Sequence, residues 1–394
     1  MQPSPKPPSV PTLLLLATSE EWITATRVEA SRLGWPPPLL TENPVEALMR
    51  LISGASFSHL LMEPAVGDRL LCELIAATAG CDDLAPFLVL IGAGAHGVHE
   101  LAAPSRAVVV TRPEGNWLAE ACAQRDSWLI PRAPLPFLEA LPGLVRGQLH
   151  ARYQPLVRIA DGQVYALEAL ARLRHPHWGL LGAESFVTSI EDSGHAALLA
   201  EHILVRALGE WNGPRLAAYG LRLGINLPLD VLLAPTTLPL LLSLREQADI
   251  ASDVLALELT ETRPVSDPAA LRPVLQTLRA EGFRLVIDDV GPHLRDHSVL
   301  LDLPFSSLKI DRSLVVASAR RARARARLER ITNEAHAAGM LVVAEGVEQP
   351  ADWSRMAACG VDLAQGYLVA RPLSAPTVPI WMDAWQRRVP ALLS

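Results

Sequence analysis

In Arg284-Leu-Val-Ile-Asp-Asp289 a short strand-like run breaks off on two adjacent acids. The same figure recurs along the chain. Val164–Leu167 runs into Glu168, Leu221–Ile225 into Asn226 and Val254–Leu257 into Glu258. Ser306–Leu308 runs into Lys309, Met340–Ala344 into Glu345 and Val361–Ala364 into Gln365. With Arg152–Val157 as a further strand, eight such runs alternate with helical spacing between Leu144 and Val389. That is the length and rhythm of a (β/α)8 barrel, in which the carboxyl ends of the strands converge on one mouth. One acid at one strand end would read as a solvated or salt-bridged residue. Seven polar ends in succession predict an active-site rim.

The chemistry follows from the atom types. Glu168, Asn226, Glu258, Asp288 and Asp289 offer oxygen ligands with no histidine or cysteine among them, a set for Mg2+ or Mn2+ rather than zinc. Five oxygen-bearing side chains suffice for two divalent ions, and two ions about 3.5–4 Å apart are a recurrent device for in-line displacement at phosphorus. Lys309 adds a positive charge for a phosphate oxygen or for orienting the attacking water. The residues by themselves therefore predict a metal-dependent phosphoester hydrolase. His175, His177, His293 and His297 share no ligand spacing and read as surface or loop histidines.

Composition bounds the rest. The 394 residues, 50% hydrophobic and 20% charged, can bury two domains. Thirty-five Lys and Arg against 42 Asp and Glu leave a net charge of −7, so no global basic field draws the chain to DNA, RNA or an anionic membrane. The four cysteines show no metal spacing, which points to a reducing, cytoplasmic setting. No apolar run approaches the roughly 18 residues of a membrane helix, and the Pro-rich residues 1–11 read as a disordered tail rather than a signal peptide.

Residues 12–125 show a second βα alternation. Apolar runs at Thr12–Ala17, Pro38–Thr41, Phe57–Met62, Phe87–Ile91 and Ala107–Thr111 alternate with helical stretches at Glu20–Leu33, Val45–Ile52, Asp68–Ala79, 94–103 and Asn116–Gln124. This predicts a parallel sheet covered on both faces. Prolines 131, 134, 136 and 142 mark 126–143 as a linker, leaving 144–394 for the barrel domain. Gly92-Ala-Gly-Ala-His-Gly97 follows the fourth strand, the wrong place for a dinucleotide fingerprint, and reads as a glycine-rich turn. Arg320, Arg321, Arg323, Arg325, Arg327 and Arg330 read as a solvated basic helix face.

The barrel segment resembles the EAL-domain phosphodiesterases. The resemblance is carried by Tyr153-Gln-Pro155, Glu168-Ala-Leu170, Gly224-Ile-Asn226, Leu257-Glu-Leu-Thr-Glu261, Ile287-Asp-Asp289, Leu308-Lys-Ile-Asp311, Ala344-Glu-Gly-Val-Glu348 and Gln365-Gly-Tyr367, in the family's order and spacing. It implies hydrolysis of cyclic di-GMP to the linear dinucleotide. By similarity, Glu168, Asn226, Glu258 and Asp288 would ligate one metal and Asp289 the second. Lys309 and Glu345 would position waters, Arg172 would meet a phosphate, Gln154 and Gln365 would hold the substrate region, and Glu261 would anchor the loop after strand five. The resemblance also implies a homodimer.

One stretch departs from the family. Where active members usually carry Asp-Asp-Phe-Gly, a small residue and Gly-Tyr-Ser-Ser, this chain has Asp288-Asp-Val-Gly-Pro-His-Leu-Arg-Asp296. Loss of a glycine and gain of Pro292 and His293 predict weak or conditional turnover; the alternative is an inactive cyclic di-GMP receptor acting through protein partners.

The 12–125 segment is similar, more distantly, to the receiver domains of response regulators, which implies a flavodoxin-like doubly wound α/β fold. Glu63 stands where such a domain carries its phosphorylatable aspartate. A degenerate receiver-like module that docks a protein partner is the expectation.

Overall fold

The computed structural model describes residues 12–52, 57–63, 87–91, 107–113, 115–121, 140, 143, 146–175, 179–211, 216–260, 268–291 and 298–393. The chain divides into two compact units, Met1–Gln148 with Arg172–Ser189, and Leu149–Ala171 with Ile190–Ser394. Among the described residues no helix is long and apolar enough to cross a membrane. The tail at 1–11, the expected helices at 68–79 and 94–103, the glycine-rich turn at 92–97 and nearly all of 126–143 lie outside the described residues.

The first unit is built on β1 (Leu13–Leu16), β2 (Leu39–Thr41), β3 (His59–Met62), β4 (Phe87–Ile91) and β5 (Ala107–Val110). All four pairings are parallel and the order is β2-β1-β3-β4-β5, the strand order of flavodoxin-like sheets. The four leucines of β1 are buried, as a strand with both faces covered requires. The helix Glu20–Arg32 buries Trp22, Ile23 and Ala30, and Trp22 meets Trp117 edge-on at 5.5 Å.

In this order the direction of strand addition reverses between β1 and β3, and their carboxyl ends open the crevice where such sheets bind ligands. Glu63 fills that place. Its Oε2 accepts the backbone N–H groups of Thr18 at 2.9 Å and Ser19 at 3.2 Å, at the start of the helix Glu20–Arg32. A carboxylate there complements the positive end of the helix dipole.

The second unit is a closed barrel. Its strands are β6 (Leu149–Arg158), β7 (Val164–His175) as far as Ala171, β9 (Arg222–Pro228), β10 (Leu255–Thr260), β11 (Arg284–Val290), β12 (Ser307–Ile310), β13 (Leu341–Ala344) and β14 (Leu363–Ala364); the end of β7 and the short β8 (Gly179–Gly182) that hairpins onto it belong to the segment Arg172–Ser189 grouped with the first unit. From β7 through β14 the ring neighbours are parallel, and β6 closes the ring between β14 and β7. The barrel differs from a uniform (β/α)8 ring in one respect: β6 is antiparallel to β14.

The reason is local. Between Arg158 and Val164 the chain turns through Asp161-Gly162, with Gly162 at φ 67° and its N–H donating to Arg158 O at 2.8 Å. So short a link cannot make the crossover that a parallel partner needs. The helix Val378–Leu393 packs over this turn: Trp385 Nε1 donates to Gly162 O at 2.7 Å, and a Cβ on Gly162 would stand 2.4 Å from Val389 Cγ1.

Gly162→Ala therefore combines a left-handed backbone with a side-chain clash, and should destabilise the protein by about 2 kcal/mol. Thermal unfolding should show a drop of about 4–8 °C in Tm for a unit of this size. An unchanged Tm would show that the turn relaxes without loss.

Candidate active site

The strand register lifts the polar ends to one level. Glu258 pairs with Asn226 across β10 and β9, Glu168 with Gly224 across β7 and β9, and Lys309 with Val343 across β12 and β13. Glu345 and Gln365 follow the last residues of β13 and β14; Glu345 N–H bonds Ile310 O at 3.1 Å, and Gln365 N–H bonds Ala344 O at 2.9 Å. Nine of the sequence-predicted residues, from Gln154 to Gln365, thus belong to the second unit's strands or their ends. Arg172 is buried on β7, four residues beyond Glu168. Glu261 and the altered loop at 292–297 lie outside the described residues.

Lys309 is the centre of the cluster. Its Nζ is 2.7 Å from Glu258 Oε2 and Glu345 Oε1, 3.1 Å from Asp288 Oδ1 and 3.2 Å from Glu168 Oε2, while its side chain is 1% exposed. Glu168 is held from two further sides, by Asn226 Nδ2 on Oε1 and Gln365 Nε2 on Oε2, both at 2.7 Å. Gln365 also reaches Gln154 Oε1 at 3.4 Å, and Gln154 Nε2 donates to Ala370 O at 3.2 Å.

Glycines make room for this packing. A Cβ on Gly224 would lie 2.1 Å from Glu258 Oε1, so only glycine lets that carboxylate lie flat across β9. Gly224 was legible as part of a motif, but its role depends on a cross-strand neighbour. The site also contains a β-bulge. Successive strand residues face opposite sides, yet the β11–β12 register shifts between Ile287 and Val290, and Asp289 adopts φ 56°. The result is that carboxylate oxygens of Asp288, Asp289 and Glu345 lie within 4.8 Å of one another. Two consecutive acids inside a strand were the sequence signal for such a device.

Five carboxylates face one ammonium, a formal charge of −4 (five negative, one positive) if all ionise. The electrostatics register the excess. Burial, then the charges of Glu168 and Asp288, push Glu258 well above the carboxylate range, although Lys309 opposes the rise. Burial also raises Asp288 against the pull of Lys309. Burial pushes Glu345 up to about 8. Asp289 reaches solvent, yet lost solvation in the acidic mouth and then the Asp288 charge push it up to about 6. For Glu168 burial is outweighed by Lys309, Gln365 and Asn226 together, and its pKa falls.

This donor set fits a divalent cation. It consists of hard oxygen atoms, carries more negative charge than Lys309 balances, and has converging Asp288, Asp289 and Glu345 oxygens. The buried Gln365 Oε1 accepts no hydrogen bond among the described residues, and Asp288 Oδ1 faces the shared Lys309 ammonium at 3.1 Å.

A barrel with an acidic, cation-fitting mouth at its strand ends defines an enzyme-like class. The EAL domain family matches residues 138–372, more than half of the chain, and the chain belongs to that family. Cyclic di-GMP phosphodiesterase NbdA of Pseudomonas aeruginosa is 34% identical over 240 residues, covering 61% of this chain and 31% of the relative. Cyclic di-GMP phosphodiesterase RocR of the same species is 31% identical over 244 residues, covering 61% of this chain and 62% of the relative. The chain thus spans less than two thirds of either relative. Among solved structures, the PaMucR phosphodiesterase in its c-di-GMP complex aligns with a TM-score of 0.57 at 29% identity, over 61% of this chain and 99% of that one.

The raised carboxylates set a sign for stability. Without a cation, the folded state keeps protons on Glu345 and Asp289 that the unfolded chain releases near pH 4. Their contribution is full below about pH 4 and drains as pH rises toward about 8. Urea unfolding in chelator should show wild type losing more stability between pH 5 and 8 than Glu345→Gln, with a divalent cation flattening the wild-type slope. Equal slopes would contradict the assignment. Lys309→Met, which strips the ammonium from three buried carboxylates and the partly exposed Glu345, should lose about 3–5 kcal/mol at pH 8 in the same assay.

Proposed function

We propose that this chain hydrolyses cyclic di-GMP to linear pGpG, using two Mg2+ or Mn2+ ions. The observation that carries the reading is the uninterrupted acid set around Lys309, in a chain whose relatives are named cyclic di-GMP phosphodiesterases. Glu168, Asn226, Glu258 and Asp288 would hold one ion, and Asp289 would serve the second. When bound, the ions supply the Lewis acidity that polarises a phosphodiester and lowers the pKa of water.

The chain's own residues do the remaining work. Asn226 donates its amide to Glu168 and keeps its carbonyl oxygen as a ligand atom. Gln365 holds the other Glu168 oxygen, so this carboxylate has one orientation. Lys309 and Glu345, 2.7 Å apart, orient the attacking water, with Glu345 able to take its proton. Arg172 meets a non-bridging phosphate oxygen, Gln154 and Gln365 line the substrate region, and Glu261 anchors a loop at the mouth. The changed sequence Pro292-His-Leu-Arg-Asp296 keeps turnover weak or conditional. The enzyme is a cytoplasmic homodimer, and its first unit is a receiver-like module that docks a protein partner, with Glu63 in the phosphoacceptor's place.

The test is hydrolysis of cyclic di-GMP by purified protein with Mn2+ or Mg2+, following the linear product. Turnover should be lost on adding chelator and fall about a hundredfold or more in Glu168→Ala, with the circular dichroism spectrum unchanged. Tight binding without turnover in wild type would replace the enzyme with a receptor.

A further inference from the structure

The bulge at Asp288–Asp289 needs something to hold it. A non-glycine residue in the left-handed region persists only where its surroundings over-determine it, and Asp289 sits there at φ 56°. The carbonyls that follow are both fastened. Val290 O accepts Asp311 N–H at 3.1 Å. Gly291 O accepts Arg327 Nη2–H at 2.9 Å, from the helix Ala322–Ala337. The backbone passes close to Asp311 here, since a Cβ on Gly291 would stand 3.1 Å from Asp311 Cβ.

Arg327 belongs to the arginine-rich run, but it differs from its neighbours. Arg320, Arg321, Arg323, Arg325 and Arg330 are exposed, whereas Arg327 is half-buried beside Leu328, which faces the core. Its guanidinium tip reaches the carbonyl just after the acid pair.

We propose that Arg327 is a positioning residue: by gripping Gly291 O it holds the β11 bulge and so keeps Asp289 turned toward Asp288 and Glu345. This inference rests on the reading of Asp289 as a cation ligand. It separates the six arginines into five that solvate the surface and one that shapes the mouth. Because Arg327 grips the backbone two residues beyond Asp289, its effect falls mainly on the second cation site rather than on the Glu168–Asn226–Glu258–Asp288 site.

Arg327→Met keeps the stem and removes the donor; Arg323→Met, on the exposed side of the same helix, is the control. Calorimetric titration with Mn2+ alone should show the tighter site unchanged within about twofold and the weaker one losing about 10–100-fold in Arg327→Met, the range expected for a group that orients a ligand. Turnover of cyclic di-GMP should then recover at saturating Mn2+. In metal-free protein, hydrogen exchange of the segment 284–291 should be faster in Arg327→Met and unchanged in Arg323→Met. Unchanged Mn2+ affinity together with unchanged exchange would overturn the proposal. Should wild type bind no Mn2+, the two-cation reading falls by itself. Exchange then judges Arg327: faster exchange keeps its hold on the bulge, and unchanged exchange removes it.

Discussion

The ammonium of Lys309 lies within 3.2 Å of carboxylate oxygens from Glu168, Glu258, Asp288 and Glu345. None of these charges could be buried alone, because stripping water from an isolated ion is prohibitive. Each is tolerable only when β7, β10, β11, β12 and the end of β13 stop at matching heights. The ion cluster is thus also a register check on the barrel. A one-residue slip of any of these strands would turn its charge to the other face, into the packing between barrel and helices.

That same cluster is over-supplied with negative charge, and its carboxyls respond by holding protons they would otherwise lose. A site optimised for stability would pair one acid with one lysine. This arrangement gives up stability in the cation-free state in exchange for a place where a divalent ion is strongly favoured. The β-bulge is a second instance of the same trade. Asp289 occupies a strained conformation because a regular strand would turn its carboxylate away from Asp288.

In the first unit a carboxylate occupies the crevice at the reversal of the sheet order. Glu63 satisfies Thr18 and Ser19 N–H groups that would otherwise face solvent or an anion. Its closure there is intramolecular, whereas the barrel mouth carries excess negative charge. The two units place acids at comparable strand ends and obtain opposite results, because one acid meets two backbone donors and the other five compete for one ammonium.

Much was legible in the residues themselves. Apolar runs that end on Glu168, Asn226, Glu258, Asp288, Lys309, Glu345 and Gln365 locate seven strand ends, since period and polarity are local properties. The five strands of the first unit begin and end within two residues of their apolar runs for the same reason. Tertiary structure decided the rest. The reversal of β6 was not visible in its apolar run, because it depends on which strand it meets, and the role of Gly224 exists only because Glu258 lies across from it. Lys309 read as a partner for phosphate or water, yet its neighbours in the fold are four acids, and Arg327 read as one more surface arginine until its helix lay against the β11 exit. Sequence by itself determined which chemistry each strand end carries. Which charges share an oxygen's distance was decided by barrel closure, because it depends on register and twist summed around the ring, quantities that no single segment contains.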